Sequence, residues 1–139
     1  MIKKKIVITG GDGRFANILK IKNKKLNILY PNKKTLDILS ISSIEKYLKK
    51  VNPKYLIHAA GLSRPMNIHN KQISKSIDLN IIGTCNIVKV CSNLKIKLIY
   101  FSTGYVYEGR VGNYKENDPV LPVNNYAWSK LGGECAVAM

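Results

Sequence analysis

A short apolar strand that runs directly into a glycine-rich turn is the feature that most constrains the fold of this sequence. Lys5-Ile-Val-Ile-Thr9 is a β-branched run, typical of a buried central strand. Gly10-Gly-Asp-Gly-Arg-Phe-Ala16 follows at once and leads into an apolar helix pattern. Gly10 permits a tight turn, Gly13 lets backbone approach a pyrophosphate, and Ala16 lets the helix pack on the strand. The helix N–H groups would face the phosphates, so the motif predicts a dinucleotide-binding turn; a plain glycine-rich β-turn is the alternative. The turn residues predicted to contact the dinucleotide are Gly10, Asp12, Gly13, Arg14 and Phe15.

Strand and helix patterns alternate along the chain. The predicted strands lie near residues 4–9, 26–30, 35–37, 55–60 and 96–101. This alternation predicts an α/β fold of the Rossmann type, with a doubly wound parallel sheet. A dinucleotide should lie across the carboxyl ends of the strands. The 139 residues suffice for one domain with a core, so residues 1–139 are predicted to be a single nucleotide-binding domain.

Helical patterns also indicate where two segments pack. A long pattern from Ile77 to Cys91 has apolar residues at helical spacing, which predicts one buried stripe. The predicted stripe consists of Ile77, Ile81, Cys85, Val88 and Cys91. Gly132 and Gly133 weaken a later helix, and they favour its close approach to a neighbour.

Hydroxyl groups, a tyrosine and a lysine are spaced as in a proton-transfer site. Ser102 and Thr103 follow the apolar run Leu98–Phe101, at the carboxyl end of a predicted strand. Tyr126 and Lys130 are four residues apart on a predicted helix and therefore share one face. An acid, a cation that lowers the pKa of the acid, and a donor that holds a carbonyl oxygen are the parts of such a site.

The stretch 97–134 resembles the extended short-chain dehydrogenases/reductases (the NAD-dependent epimerase/dehydratase superfamily), most closely the dTDP-4-dehydrorhamnose reductase branch. A lone Tyr-x-x-x-Lys is weak, but here turn residues and hydroxyls recur with it at the family's spacing. The matching residues are Ser102-Thr103, Tyr105-Val106, Gly109, Tyr114-Lys115-Glu116, Asp118-Pro119, Pro122, Tyr126, Ser129-Lys130-Leu131 and Gly133-Glu134. Three earlier motifs also match: the glycine turn, His58-Ala-Ala, and the Asn-x-x-Gly-Thr-x-Asn run that begins at Asn80.

This resemblance implies NADPH-dependent reduction of a 4-keto group on a nucleotide-linked deoxysugar, in nucleotide-sugar and polysaccharide biosynthesis. It implies that Tyr126 donates the proton to the carbonyl oxygen. Lys130 and the nicotinamide charge would lower the pKa of Tyr126, and Lys130 would also bond the nicotinamide ribose. Thr103 would hold the carbonyl oxygen, with Ser102 as the lesser candidate. The implied substrate contacts are Thr103, Gly104 and Tyr126. The implied cofactor contacts beyond the glycine turn are Asp37, Ile38, Ala59, Ala60, Gly61, Asn80, Tyr126 and Lys130.

Several of these residues have a second interpretation. Asp37 is implied to contact the adenine, and a turn or cap residue is the alternative. Asn80 is implied to support the active-site lysine, and a polar helix residue bonded to backbone is the alternative. His58 is predicted to be a packed strand residue, because no partner carboxylate is near in sequence.

The end of the second predicted strand bears on the choice of cofactor. An NAD-preferring site usually has an acidic residue here for the ribose hydroxyls. This chain has Pro31-Asn-Lys-Lys34 instead. We therefore predict that NADP(H) is preferred and that NAD(H) is a weaker alternative, with Lys33 or Lys34 near the 2′-phosphate. Solvated lysines without a partner are the competing interpretation.

Composition bears on compartment and partners. The formal net charge is +15, but the lysines are spread along the chain, so compositional bias is favoured over a nucleic-acid partner. Three cysteines without Cys-x-x-Cys spacing, and an N-terminus without a secretion-signal pattern, predict a reduced, cytoplasmic location. No membrane-spanning run and no metal-ligand cluster is evident, so neither a membrane nor a metal is predicted.

Length and one departure leave other functions open. The family's chains are about twice as long and add a sugar-binding part, so a truncated protein is expected, and a non-catalytic dinucleotide-binding remnant is one alternative. Leu62–His69 lacks the charged residues of the reductase branch at that point, which weakens the assignment to that sugar. A nucleotide-sugar epimerase or dehydratase with bound NAD is another alternative. A homodimer is also expected, since the superfamily commonly pairs through helices near the active site.

Overall fold

The computed structural model describes residues 4–139, and strands and helices alternate through them as predicted. Residues 1–3 of the predicted domain lie outside the described part. The elements in chain order are β1 (Lys5–Ile8), α1 (Arg14–Lys22), β2 (Asn27–Leu29), α2 (Ile41–Val51), β3 (Tyr55–His58), α3 (Ile68–Lys71), α4 (Ile73–Ser76), a π-helical segment (Ile77–Ile82), α5 (Gly83–Asn93), β4 (Lys97–Tyr100), a 3₁₀ turn (Gly104–Val106) and α6 (Asn125–Ala138).

The four strands found in residues 4–139 form one parallel sheet in the order β2-β1-β3-β4. Val7 lies beside Leu29 on one side and Leu56 on the other, and Ile57 lies beside Ile99. The chain leaves β1 toward β2 and later returns to place β3 on the opposite side of β1. This reversal confirms the predicted Rossmann-type fold, and it places a crevice at the carboxyl ends of β1 and β3.

The strand predicted at residues 35–37 is wrong. The backbone N–H groups of Thr35 and Leu36 both donate to the carbonyl of Asn32, at 3.1 and 2.9 Å, so the chain forms a tight turn there. The Leu36 side chain nevertheless enters the core, where it is 3% exposed. A buried apolar residue in a turn therefore produced a strand-like pattern.

The hydrophobic core lies between the sheet and the helices α2 and α5, which pack on each other. Its fully buried members are Val7, Ile44, Leu48, Leu56 and Ile87. Because βαβ crossovers are right-handed, α1 lies on the opposite face of the sheet. That face is less covered, since Ile99 and Phe101 are 44% and 46% exposed.

The predicted apolar stripe from Ile77 to Cys91 is only partly correct. Cys91 is buried, but Ile77 is 41% exposed, and the polar Asn80 and Thr84 are buried. The reason is the π-helical segment, whose wide turn changes which side chains face inward. The amide of Asn86 is also buried and donates to the Ile38 carbonyl at 3.0 Å.

Three lysines lie at the amino ends of neighbouring strands, with Lys5 beside Lys54 and Lys97 beside Tyr55. Lys54 N donates to the Lys5 carbonyl at 3.0 Å, and Lys97 N donates to the Lys54 carbonyl at 3.2 Å. All three side chains are exposed. This edge is the one remote from the crevice at the carboxyl ends of the strands.

None of the helices in residues 4–139 is both long enough and apolar enough to cross a membrane.

Candidate active site

A groove runs along the carboxyl ends of the strands, with the glycine turn on one wall and the residues after β3 on the other. Gly10 has a φ of +72°, and a Cβ there would lie 3.0 Å from the Ala60 Cα. A side chain at position 10 would therefore be strained and would press on the opposite wall. Ala59, Ala60 and Gly61 line the groove opposite this turn. The structure thus brings the two predicted backbone walls together.

Residues around the glycine turn hold it in place. Two of them, Gly11 and Lys20, were not predicted from the sequence. Gly11 N donates to the Pro31 carbonyl at 2.9 Å, and a Cβ on Gly11 would overlap the carbonyl of Tyr30. The Lys20 ammonium donates to the Gly11 carbonyl at 2.6 Å. Gly13 begins α1 without a side-chain cap, which leaves the first N–H groups of the helix directed at the groove.

One end of the groove is lined by lysines and carboxylates. A cleft of about 670 Å³ is bounded by Asp12, Asn32, Lys33, Lys34 and Asp37. A smaller cleft of about 100 Å³ adjoins it through Lys33 and Asp37 and reaches Ile38 and Gly10. The Asp37 carboxylate also accepts from Leu39 N at 3.0 Å. Asp37 therefore shapes its own turn while it lines the groove, and its predicted contact with the adenine stays a prediction.

The middle of the groove is a cleft of about 500 Å³ beside the start of α1. Its lining includes Gly13, Arg14, Phe15, Ser63 and Arg64. Arg14 and Arg64 thus line the cleft beside the backbone that is predicted to approach a pyrophosphate.

The far end of the groove is a cleft of about 260 Å³ that contains the predicted catalytic pair. It is lined by Phe15, Phe101, Ser102, Tyr126 and Lys130, among others. Phe15 and Phe101 meet edge to face with their ring centres 5.0 Å apart. Tyr126 and Lys130 lie on α6 as predicted, and the Asn124 side chain caps that helix by accepting from Ala127 N at 2.9 Å.

Tyr126 is half-buried among polar and aromatic groups. Burial raises its pKa, while the Thr103 hydroxyl next to the phenol and the charge of Arg64 lower it in part. The His69 ring packs against Tyr126 with 5.0 Å between ring centres. The predicted lowering of the Tyr126 pKa by Lys130 is therefore not found in the chain itself, where Arg64 supplies the favourable charge.

Lys130 is enclosed more than a surface lysine. Burial lowers its pKa to about 8, although the nearby charge of Glu134 acts in the opposite direction. Its ammonium lies over the ring of Tyr100, 4.0 Å from the ring centre. Ser102 donates to the Glu134 carboxylate at 2.7 Å, so its hydroxyl proton is already engaged. Thr103, which lies beside Tyr126, is the better placed of the two hydroxyls.

Gly104 opens the 3₁₀ turn just after Thr103, whose side chain accepts from Tyr105 N. A Cβ at position 104 would meet no atom within 4 Å. The fold does not require a glycine here, and the predicted substrate contact stays a prediction.

Asn80 forms a cross-brace beneath the groove. Its amide oxygen accepts from Leu62 N at 2.7 Å, and its nitrogen donates to the Leu62 carbonyl and to Ser129 Oγ, both at 2.8 Å. Asn80 is 2% exposed. It therefore ties the loop after β3 to Ser129, which precedes Lys130 in the chain, and its predicted support of Lys130 stays a prediction.

His58 connects three elements below the groove. Its ring bonds the hydroxyls of Thr9, at 2.8 Å, and Thr84, at 3.1 Å. The Thr9 hydroxyl also accepts from the N–H groups of Ala59 and Ala60. Burial, with a smaller contribution from Lys130, lowers the pKa of His58 to about 3, so the ring is neutral. His58 is packed as predicted, but the supporting role of Thr9 was missed.

Within residues 4–139, no three histidine, cysteine or carboxylate side chains cluster as a metal site would require.

The sheet order and the groove at the strand reversal define a Rossmann-type dinucleotide-binding domain. Residues 4–139 match the family described as RmlD substrate binding domain, and the chain belongs to that family. This confirms the resemblance to the dTDP-4-dehydrorhamnose reductase branch.

Individual relatives agree with the family match. The structure of dTDP-4-dehydrorhamnose reductase from Bacillus anthracis in complex with NADP aligns with a TM-score of 0.92 and 30% identity, over 99% of this chain and 50% of that one. The dTDP-4-dehydrorhamnose reductase of Aggregatibacter actinomycetemcomitans is 25% identical over 94% of this chain and 45% of that protein. Methionine adenosyltransferase 2 subunit beta of Xenopus laevis is 31% identical over 77% of this chain and 32% of that protein. The chain thus spans half or less of the length of these relatives.

Proposed function

We propose that this chain binds NADP(H) and takes part in reducing a 4-keto group on a nucleotide-linked deoxysugar, as its reductase relatives are named to do. The observation that carries the proposal is a cleft lined by Tyr126 and Lys130, with the Thr103 hydroxyl next to the Tyr126 phenol, in a groove that also holds a dinucleotide-type glycine turn. The similarity to a reductase structure in complex with NADP supports the same assignment. We also keep the proposal that residues 1–139 form one nucleotide-binding domain.

The proposed chemistry needs one proton donor and one holder of the carbonyl oxygen. The bound cofactor supplies a hydride to the carbonyl carbon. Tyr126 donates its phenolic proton to the carbonyl oxygen, and the Thr103 hydroxyl beside it orients that oxygen. Lys130, whose pKa is about 8, is mostly an ammonium at neutral pH and bonds the ribose next to the nicotinamide. Phe15 and Phe101 give this end of the groove an apolar lining.

The Tyr126→Phe variant tests the reaction. We expect reduction of a dTDP-4-keto-6-deoxysugar to fall by at least about 100-fold, since a positioned general acid contributes that much. NADPH affinity should stay within about twofold, because the ring and Lys130 remain. Tyr114→Phe is the matched control, because that phenol accepts only from the loop N–H groups of Arg110 and Val111. Turnover retained in Tyr126→Phe would contradict the assignment.

The lysines at the other end of the groove support the preference for NADP(H). Lys33 and Lys34 line the cleft of about 670 Å³ together with Asp12 and Asp37, and within residues 4–139 neither lysine forms an ion pair with a carboxylate. We expect Lys33→Gln/Lys34→Gln to weaken NADPH binding by about tenfold or more while NADH binding changes little. Lys54→Gln/Lys97→Gln removes the same charge at the remote edge of the sheet and serves as the control. A preference for NADH in the unaltered chain would refute the proposal.

A non-catalytic function is the second candidate. The similarity to a protein named as a subunit of methionine adenosyltransferase 2 favours it, because that name describes a component of another enzyme. A chain of this kind would bind NADPH in a fluorescence titration but reduce no keto sugar. That result would overturn the reductase proposal and leave cofactor binding intact.

Compartment and assembly remain proposals as well. We propose a cytoplasmic location, which the free thiols of Cys85, Cys91 and Cys135 support. The expected homodimer stays a prediction, and sedimentation of the purified chain would test it.

A further inference from the structure

The ammonium of Lys130 lies against an aromatic face. Lys130 Nζ is 4.0 Å from the centre of the Tyr100 ring, well within the range of a cation–π interaction. No carboxylate in residues 4–139 approaches this ammonium to within the 4.0 Å of an ion pair. Glu134 is near enough to influence the charge, but its carboxylate accepts the Ser102 hydroxyl. The π face of Tyr100 is therefore the nearest group that favours the charged form of Lys130.

Tyr100 is itself held firmly. Its hydroxyl donates to the main-chain carbonyl of Lys130 at 3.1 Å, which ties the end of β4 to α6. The Thr84 hydroxyl is close to the same phenol. On α6, a Cβ added at Gly133 would lie 2.7 Å from the Tyr100 oxygen, so the helix approaches the ring closely. The ring thus contacts one residue at two points, its backbone carbonyl and its ammonium.

We propose that Tyr100 is a positioning residue that holds the Lys130 ammonium at the Tyr126 end of the groove through its ring face. This deepens the proposed function, on which its consequence for cofactor binding rests. A lysine has four rotatable side-chain bonds and a strongly hydrated head group. An aromatic platform fixes that head group in a partly dry cleft, so that less ordering is needed when a ribose binds.

A double-mutant cycle isolates the contact. We expect Tyr100→Leu, which removes the ring face, to weaken NADPH binding by about three- to thirtyfold when Lys130 is present. In the Lys130→Met background, Tyr100→Leu should have no further effect on binding. Tyr100→Phe keeps the ring and removes only the hydroxyl, so its NADPH affinity should stay near that of the unaltered chain. An equal loss in both backgrounds would show that Tyr100 acts through general packing and would overturn the proposal.

A second measurement needs no cofactor. Acetic anhydride labels neutral lysines, and mass spectrometry reports the rate at Lys130 in each variant. Because the ring favours the ammonium, we expect faster labelling of Lys130 in Tyr100→Leu than in the unaltered chain, with Tyr100→Phe unchanged. The groups that also face this ammonium are Glu134 from α6, His58 from β3 and Tyr126, and they are the same in both variants.

NADPH binding and Lys130 labelling distinguish a failure of the proposed function from a failure of the positioning role of Tyr100. If NADPH does not bind the unaltered chain, the proposed function fails, while the labelling rates still test the contact. Unchanged or slower labelling in Tyr100→Leu, with the circular dichroism spectrum of a folded chain, would overturn the positioning role. If Tyr100→Leu does not fold, Tyr100→Met takes its place, since it fills similar space without a ring face.

Discussion

At the scale of single residues, the buried imidazole of His58 makes the stability of the fold depend on pH. Its two ring nitrogens form hydrogen bonds with the hydroxyls of Thr9 and Thr84. Burial lowers the pKa of the ring to about 3, against an ordinary value of 6.5. Between these two values the unfolded chain binds a proton that the folded chain does not. The contribution of His58 therefore lowers stability as the pH falls below about 6.5, and it has no such effect at higher pH.

We predict that the unaltered chain loses about 2 kcal/mol at pH 5 relative to pH 7 through this residue. His58→Gln keeps hydrogen-bonding groups but does not titrate, so its free energy of unfolding should depend less on pH by that amount. Urea unfolding of both proteins at the two pH values measures the difference. Identical pH dependence in the two proteins would mean that His58 takes up its proton at the same pH in the folded chain as in the unfolded chain.

Residues whose roles are local were predictable, and residues whose roles arise from distant partners were not. The glycine turn and the Tyr126/Lys130 pair are set by spacing within one element. Thr9, by contrast, acts on Ala59 and Ala60, which are fifty residues away in the chain. No pattern near Thr9 indicates those contacts, because they exist only once β1 and β3 lie side by side.

At the scale of elements, the contact between α6 and the π-helical segment depends on a glycine. A Cβ at Gly133 would lie 2.6 Å from the Asn80 carbonyl, whereas a Cβ at Gly132 would meet only the end of the Ile81 side chain, at 2.9 Å. Both glycines were predicted to favour close packing. The structure shows that backbone meets backbone at only one of them.

We predict opposite effects for the two alanine substitutions. Alanine should stabilise a helix by roughly 1 kcal/mol over glycine, and Gly132→Ala should keep much of this because Ile81 can rotate. Gly133→Ala should instead destabilise the chain by about 1–3 kcal/mol, since the added methyl group forces α6 away from the Asn80 backbone. Thermal unfolding of the pair measures both effects. A Gly133→Ala variant as stable as Gly132→Ala would contradict the described approach of the helices.

The π-helical segment also explains why helix faces were harder to predict than helix positions. Periodicity located the helical region around Ile77–Cys91, but the inward face was assigned with regular α-helical spacing. The wide turn over Ile77–Ile82 breaks that spacing. Asn80 and Thr84 then face inward, where their polar groups find partners on Leu62 and His58.

At the scale of the molecule, the described residues leave the β4 edge of the sheet and part of one sheet face uncovered. β4 ends the strand order, and Ile99 on this strand is 44% exposed. An exposed apolar edge strand favours pairing with another chain. The fold class and strand order could be predicted from alternation alone, but this uneven covering could not, because it depends on how α1 and α2 divide between the two faces.

We predict that Ile99→Lys lowers concentration-dependent association of the chain. A charge on the edge strand opposes pairing with a second strand. Light scattering across a concentration series should show a lower average mass for this variant than for the unaltered chain. Val111→Lys, at an exposed loop position, adds the same charge elsewhere and should have no such effect. Equal association of all three proteins would place the contact away from β4.

Lys5, Lys54 and Lys97 add positive charge at the end of the sheet remote from the groove, and Lys33, Lys34, Arg14 and Arg64 add it at the groove end. Lys5 lies beside Lys54 on a strand about 4.8 Å away, whereas Lys97 lies beside Tyr55, so its side chain points to the opposite face of the sheet. On a negatively charged support in dilute buffer, molecules should therefore be held by either end of the sheet, without one preferred orientation. At physiological ionic strength the Debye length shortens to about 8 Å, and this attachment should weaken.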